Sequence, residues 1–425
     1  MKIAIAGYGV EGVANYQYWD KPGNDLTIVD QTHPAEEPPE GVPLIIGEDA
    51  FHNLNGFDLV IRTAGLAPYK ITTNGKVWSG TNEFFSRCPA TIIGVTGSKG
   101  KGTTSSLITE ILKVAGKTVW LVGNVGVPAL DLLEKIQPED YVVYELSSFQ
   151  LWDIERSPHI AVVLFIEQEH LDVHSSMEDY VDAKAHITRF QKSDDILVYN
   201  SENQYSNQIA DESFAEKIAF QAAQTAHVVE DNFYYGEQLI CSINELQLVG
   251  AHNQDNACAA IDAVWSITQD TEVIRTGLHA FTGLPHRLKF VREINNVRYF
   301  DDSIATTPTS AIAALRGFEE PKVIILGGSS KGSDFSSLAE EMNQHEVHAI
   351  LIGDEAHKLA QSFDVSGFTD YEIIDQPTMS NIVQRAHEVA QPGSVVLLSP
   401  SAASFGLFKN YADRGDQFIA AVNEL

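Results

Sequence analysis

Short apolar runs rich in Val, Ile and Leu recur along the chain, each ending in a small, polar or acidic residue. They occupy residues 2–6, 26–29, 58–62, 90–93, 140–145, 160–166, 298–300, 322–326, 349–352 and 394–398. Runs of this length bounded by turn residues predict buried strands. Segments with helical periodicity lie between them, among them 105–115, 176–190 and 257–266. Alternation of this kind predicts parallel sheets flanked by helices. The pattern resolves into three α/β blocks in series, residues 1–89, 90–283 and 284–425. The first and third read as Rossmann-like, and the second reads as a phosphate-loop ATPase-like block with a mainly parallel sheet. The proline- and acid-rich stretch 33–43 reads as a loop, and there is no internal repeat or low-complexity tract.

Composition narrows the functional classes. Fifty-eight acidic against 28 basic residues give a formal charge of −30. Such a chain is a poor general binder of nucleic acid, whose backbone requires cationic contacts. An anionic ligand must therefore be held by local loops and helix ends against the overall field. No run of about 18 apolar residues is present, which argues against a membrane span. Residues 1–7 read as a first strand rather than a signal peptide. Cys88, Cys241 and Cys258 are widely spaced, with neither metal-type spacing nor a disulfide framework, as expected in a reducing cytoplasm.

The most informative string is Gly94-Val95-Thr96-Gly97-Ser98-Lys99-Gly100-Lys101-Gly102-Thr103-Thr104. A glycine-rich turn between strand and helix aims backbone N–H groups at one spot, where the helix dipole also favours negative charge. Lys101 supplies a mobile cation, and Thr103 or Thr104 supplies a hydroxyl for a magnesium ion. The spacing departs from G-x-x-x-x-G-K-[ST]. Val95 stands five before Gly100, the nearest earlier glycine is Gly97, and Gly102 occupies the usual hydroxyl position.

A second glycine turn, Gly7-Tyr8-Gly9-Val10-Glu11-Gly12, follows the first strand, and Asp30 ends the next. This spacing fits a diphosphate on a helix N-terminus and a carboxylate on a ribose hydroxyl. A dehydrogenase would show it too. Thr63-Ala64-Gly65 makes another tight turn at a strand's carboxyl end.

Several further residues stand at predicted strand ends, where ligands of open α/β sheets gather. Glu145 ends one strand and is placed to hold magnesium. His170, after the run 160–166, is either an ordinary loop histidine or a metal ligand. Lys184 falls on the apolar stripe of the helix 176–190, with Tyr180 and Ile187 at i−4 and i+3. It either snorkels outward or is held with a lowered pKa, and a neutral amine reacts with carbon dioxide to give a metal-binding carbamate. Asn253 and Asn256 either bond a purine edge or cap a helix. Arg287, Asp301-Asp302-Ser303, Gly327-Gly328-Ser329-Ser330-Lys331 and Ser399 through Ser404 bring polar groups to the strand ends of the third block.

Taken in order, these strings resemble the Mur ligases, ATP-dependent amide-bond-forming enzymes of peptidoglycan assembly. The member they resemble most joins D-glutamate to UDP-N-acetylmuramoyl-L-alanine. The resemblance runs through the loop 94–104, Gly123-Asn124-Val125-Gly126, Glu145-Leu146-Ser147-Ser148-Phe149-Gln150-Leu151 and His170-Leu171-Asp172 with Lys184. It continues through Gly250 to Asn256, Gly283-Leu284-Pro285-His286-Arg287, Leu398-Ser399-Pro400 and Phe408-Lys409-Asn410-Tyr411.

The resemblance implies that Gly7, Val10, Glu11, Gly12, Asp30, Thr63 and Gly65 take the uridine nucleotide, with Asn124 and Ser147 also on the substrate. Gly97, Ser98, Lys99, Gly100, Lys101, Gly102, Thr103 and Thr104 would hold ATP phosphates, and Asn253, Asn256, Arg287 and Asp302 would complete the ATP site. It implies Thr103, Glu145, His170 and carbamylated Lys184 as ligands of two magnesium ions, with manganese as a substitute. Lys331, Ser404, Phe405 and Tyr411 would hold D-glutamate. The resemblance further implies Lys101, Glu145, His170 and Lys184 as the catalytic set of a monomeric cytoplasmic enzyme. This chain departs from the pattern at Gly102, at Ile304, where a lysine is usual, and at Glu169, where aspartate is common.

The L-alanine-adding ligase and the folylpolyglutamate synthases share parts of this pattern. A nicotinamide oxidoreductase fused to an ATPase, and a non-catalytic nucleotide-binding regulator, are the readings from other classes.

Overall fold

Five short strands in the first 80 residues, the three expected ones and two the sequence reading did not give (β3 and β5), form one parallel sheet: β1 (Lys2–Ala6), β2 (Asp25–Asp30), β3 (Leu44–Ile46), β4 (Leu59–Arg62) and β5 (Lys76–Ser79), in the order β3-β2-β1-β4-β5. The structure is a computed structural model that describes every residue except Ala35, Val125, Gly126, Asp172, Val249, Lys331, Gly332, Gln376 and Phe405. Ile3, Ile5, Ile28 and Ile61 face one side of this sheet, and Ala4, Ala6, Val29 and Val60 the other, each against its own apolar cluster. Burial on both faces explains why these strands read as continuous apolar runs rather than alternating ones.

A second parallel sheet follows: β6 (Thr91–Thr96), β7 (Val119–Gly123), β8 (Tyr141–Glu145), β9 (Ile160–Val163), β10 (Ile196–Tyr199) and β11 (Glu216–Ala219). Its order is β11-β10-β9-β6-β8-β7. Strand β6 therefore lies between β8 and β9, and the chain leaves β6 at the point where strand order reverses. The carboxyl end of such a strand opens onto a crevice.

The βα rhythm does not foresee the next element. Strands β12 (Ala226–Val229), β13 (Asn232–Tyr235) and β14 (Gln238–Ser242) form a separate antiparallel sheet. Glu230 and Asp231 take positive φ of 48° and 62° in its first turn, as a tight hairpin of primed type requires. The Tyr235 ring stacks on Trp265 at 3.7 Å between centroids, docking this sheet on the helix Ala251–Trp265.

The fourth sheet contains β15 (Lys289–Ile294), β16 (Val297–Asp301), β17 (Lys322–Gly327), β18 (Val347–Ile352), β19 (Tyr371–Ile373) and β20 (Val395–Leu398), in the order β15-β16-β20-β17-β18-β19. Only the edge strand β15 runs antiparallel. The chain packs as two compact units, Met1–Phe281 and Thr282–Leu425. Among the described residues no helix is long and apolar enough to cross a membrane.

Three expected boundaries move, each for a local reason. The helix expected at 105–115 is Lys101–Val114, because Gly100 turns left-handed (φ 87°) and its carbonyl accepts from Thr104 N. Gly102, Thr103 and Thr104 thus lie in the helix's first turn. The strand expected at 160–166 stops at Val163, after which the Phe165 carbonyl turns to accept from Ser98 N at 2.8 Å. The helix expected at 257–266 begins at Ala251, so it already contains Asn253 and Asn256.

Candidate active site

The turn after β6 is built by two left-handed glycines. Gly97 has φ 154°, and a side chain there would meet Leu164 Cβ at 2.8 Å. A side chain on Gly100 would meet Asn256 Oδ1 at 2.3 Å. Either substitution fails on both backbone geometry and space.

Two lysines converge on this turn. Lys101 Nζ donates to the Gly97 and Ser98 carbonyls, both at 2.9 Å. Lys184 Nζ donates to the same Gly97 carbonyl at 2.8 Å and to Thr96 Oγ1 at 3.4 Å. Lys184 does not snorkel: it is 1 % exposed. Burial, together with the Lys101 charge, holds its amine well below the ordinary lysine range, while Glu169 pulls weakly the other way. Of the two alternatives, outward snorkelling or a buried amine of lowered pKa, the burial matches the second. Its helix, Met177–Arg189, starts at Ser176, whose hydroxyl accepts from Asp179 N as the sequence pattern predicts.

The loop after β9 crosses the same turn. Ser98 Oγ donates to the Glu167 carbonyl (2.9 Å), accepts from Glu167 N (3.0 Å) and lies 2.9 Å from Tyr180 Oη. Tyr180 Oη also reaches Glu169 Oε2 at 3.3 Å, and Lys99 pairs with Glu167. Thr104 Oγ1 donates to Asn256 Oδ1 (3.3 Å), and Asn256 Nδ2 reaches Asn253 Oδ1 (3.3 Å). Neither asparagine caps its helix, which begins at Ala251 after Gly250 and has no side-chain cap. Thr104 is buried, whereas Thr103 is only half-buried.

On the other side of β6, strand β8 pairs Glu145 with Val95. Glu145 is buried, and its Oε1 accepts from Asn124 Nδ2 at 3.0 Å. Ser147 begins a single helical turn, Ser148–Leu151, with its hydroxyl accepting from Gln150 N and its own N–H donating to Gln150 Oε1. His170 takes a left-handed φ of 57° and its ring lies 4.9 Å from that of Phe149. The loop sequence also hides His174. It is buried, 2.9 Å from Ser148 Oγ through Nε2, stacked on Phe149, and pushed down in pKa by desolvation. The pair of histidines four apart was its only sequence signal.

Among the described residues no three His, Cys, Asp or Glu side chains form a metal cage. The Glu145 carboxylate at the end of β8 and the Thr103 hydroxyl in the first turn of the helix after β6 are oxygen donors of the kind magnesium takes.

The first glycine turn is locked differently. A side chain on Gly7 (φ 91°) would strike Thr63 Oγ1 at 2.2 Å, and one on Gly12 would strike the Gly7 carbonyl at 2.2 Å. Asp30 Oδ2 accepts from Tyr8 N (2.8 Å), and Glu11 Oε2 accepts from Ala64 N (2.6 Å). Desolvation raises the Glu11 carboxyl above its ordinary pKa despite that bond. Val10 and Gly65 are exposed at the rim. Glycine turn, Asp30 and the turn at Thr63–Gly65 are thus one assembly.

In the second compact unit, Asp302 Oδ2 accepts from Ser399 Oγ (2.7 Å) and Oδ1 from Leu288 N (3.1 Å). Burial pushes its carboxyl up to about 7, with Arg287 among the groups opposing the shift. Ser404 is buried, and the Tyr411 carbonyl accepts from Ser303 Oγ at 2.7 Å. Ile304 donates its N–H to the His286 carbonyl. Arg414, which the sequence reading missed, is wholly buried and donates to Ser303 Oγ, Ser303 O and Ala402 O. Desolvation lowers it to about 10. Its signal was a cation in register with Phe418 and Val422 on one helix face. Lys331 and Phe405 lie outside the described residues, as do Val125, Gly126 and Asp172 of the quoted motifs.

A left-handed glycine turn on the central strand of a parallel sheet, lined by two lysines and flanked by a strand-end carboxylate, defines an α/β protein of the phosphate-loop class. Residues 95–264 match the family description "Mur ligase middle domain", and residues 286–402 match "Mur ligase, glutamate ligase domain". The chain is 35 % identical over 446 residues to the UDP-N-acetylmuramoylalanine--D-glutamate ligase of Clostridium tetani, covering 100 % of this chain and 97 % of that one. It is 36 % identical over 450 residues to the enzyme of the same name from Acetivibrio thermocellus, covering 100 % and 96 %. Its fold is similar to the MurF ligase of Thermotoga maritima solved with ADP, with a TM-score of 0.59 at 17 % identity over 99 % of this chain and 93 % of that one. The chain belongs to the Mur ligase family.

Proposed function

We propose that the chain joins D-glutamate to UDP-N-acetylmuramoyl-L-alanine at the expense of ATP, as a cytoplasmic step of peptidoglycan precursor synthesis. The observation that carries this reading is the convergence of Lys101 and buried Lys184 on the Gly97 carbonyl, at a loop suited to phosphate. The full-length similarity to two D-glutamate ligases supports the choice of amino acid.

An amide forms from a carboxylate and an amine only after the carboxylate is activated. The alanyl carboxylate attacks the γ-phosphorus of ATP, ADP leaves, and an acyl phosphate results. The amine of D-glutamate then attacks the acyl carbon, and the tetrahedral oxyanion collapses with loss of phosphate. The first step brings two anions together, so its barrier is largely electrostatic. Lys101 would swing from the loop carbonyls onto the transferring phosphoryl group, and the N–H groups of the first helical turn would meet the same charge. Thr103, Glu145 and His170 would hold magnesium, and Lys184 as a carbamate would add an anionic ligand. Bound magnesium would supply charge neutralisation between the attacking and leaving oxygens. Asn253, Asn256, Arg287 and Asp302 would complete the ATP site.

In this reading residues 1–89 take the uridine nucleotide at Gly7–Gly12, Asp30 and Thr63–Gly65, residues 90–283 take ATP, and residues 284–425 take D-glutamate through Lys331, Ser404, Phe405 and Tyr411. The test is phosphate release with UDP-N-acetylmuramoyl-L-alanine while the amino acid is varied. Release that requires D-glutamate is expected. Release with L-alanine on UDP-N-acetylmuramic acid, and none with D-glutamate, would overturn the reading.

A further inference from the structure

A guanidinium buried inside a protein needs all of its donors engaged. Arg62, at the carboxyl end of β4, is 0 % exposed. Its Nε donates to Asp153 Oδ2 at 2.7 Å, and Nη2 donates to Asp153 Oδ1 and to the Phe149 carbonyl at 3.0 Å. Nη1 donates to the Thr63 and Leu66 carbonyls, both at 3.3 Å. One side chain therefore grips both ends of the 63–66 turn, the helical turn Ser148–Leu151 and Asp153 two residues past it. Asn82 reinforces the second partner, donating to the Asp153 carbonyl at 2.9 Å and accepting from Glu155 N at 2.8 Å.

The two gripped segments face different tasks. The turn at Thr63–Leu66 holds Glu11 through Ala64 N and packs on Gly7, so it moves with the first glycine loop. The segment after β8 follows Glu145 directly, and the Phe149 ring lies against His170 and His174. Arg62 thus ties the first sheet's ligand turn to the carboxylate-and-histidine edge of the second, beside Tyr69, whose hydroxyl donates to the Val173 carbonyl at 3.0 Å. A planar fork fixes such a joint in a way that a lysine's single ammonium cannot.

We propose that Arg62 and Asp153 are a positioning pair that sets the reach of the UDP-linked substrate toward the phosphate loop. This inference rests on the ligase reading above. A substrate anchored on the first sheet must place its far carboxylate in line with the γ-phosphate, and an error of about 1 Å costs on the order of a hundredfold. Loosening the joint leaves the nucleotide end bound and misplaces the reacting end.

The test compares Arg62→Lys, Asp153→Asn and the double variant. Wild-type turnover with UDP-N-acetylmuramoyl-L-alanine, D-glutamate and ATP is measured first, and its absence overturns the ligase reading itself. Given turnover, each single variant is expected to lose roughly 10- to 100-fold in kcat. Binding of UDP-N-acetylmuramoyl-L-alanine by calorimetry and KM for ATP should stay within about threefold, and the double variant should be no worse than the poorer single one, as for groups acting as a unit. Wild-type kcat in the folded variants, with only a lowered unfolding temperature, would overturn the pair's role. So would additive losses in the double variant. If Arg62→Lys does not fold, Asp153→Asn decides, because it keeps the buried arginine and its three bonds to the Thr63, Leu66 and Phe149 carbonyls while removing the ionic partner.

Discussion

Two glycine-rich turns close strands β1 and β6, and they are furnished with opposite charge. In the first, carboxylates from Glu11 and Asp30 occupy backbone N–H groups at Ala64 and Tyr8. In the second, Lys101 and Lys184 donate from Nζ to backbone carbonyls at Gly97 and Ser98. Similar backbone turns thus make different sites. The carboxylates of the first turn suit hydroxyl groups such as those of a ribose, while the lysines of the second suit a highly charged phosphate tail. In a chain of net charge −30 the second arrangement is the one that needs special local construction, and it is the one with a buried lysine.

The comparison breaks most decisively at the second turn. Lys101→Ala should lower amino-acid-dependent phosphate release by about a thousandfold or more, with the fold intact by circular dichroism. Undiminished release would remove the phosphate role from this loop.

Lys184→Met should cost a similar factor of about a thousand in activity. It should leave the thermal unfolding temperature unchanged or raised, because the amine it removes is desolvated and Lys101 still serves the Gly97 carbonyl. Parallel loss of activity and stability would make Lys184 a structural residue.

The first turn should be more forgiving. Glu11→Gln keeps an acceptor for Ala64 N, so KM for the UDP-linked substrate should rise less than about tenfold and KM for ATP should not move. A change confined to ATP would dissolve the distinction between the two turns.

The smallest effect is in the pH dependence of stability, where the two turns should slope in opposite directions. The Glu11 carboxyl is raised in the folded state, so its contribution is present below the ordinary 4.5 and is lost as pH rises through the folded value. The Lys184 amine is lowered, so its contribution is present above the ordinary 10.5 and is lost as pH falls through the folded value. Unfolding temperatures measured from pH 4 to 10.5 should lose a descending component in Glu11→Gln and an ascending one in Lys184→Met. Identical profiles for both variants and the wild type would contradict these assignments.

Much of the parallel framework was legible in the chain because strands buried on both faces leave continuous apolar runs, and glycine turns leave their residues in the string. The loop at 94–104, the strand-end Glu145 and the helix carrying Lys184 were all readable from local spacing. The antiparallel β12–β14 sheet was not, since its short strands are half-polar and its turn uses Glu230 and Asp231 rather than glycine.

What the sequence determined by itself was local: which segments extend, where they turn, and which turn residues accept positive φ. Whether Lys184 points outward or inward depended on the Gly97 carbonyl 87 residues away. The charge environment of Glu11, the use of all of Arg62's donors and the burial of Arg414 were likewise decided by partners distant in the chain. Desolvation and hydrogen-bond completion depend on what surrounds a group in space, and only the folded chain supplies those neighbours.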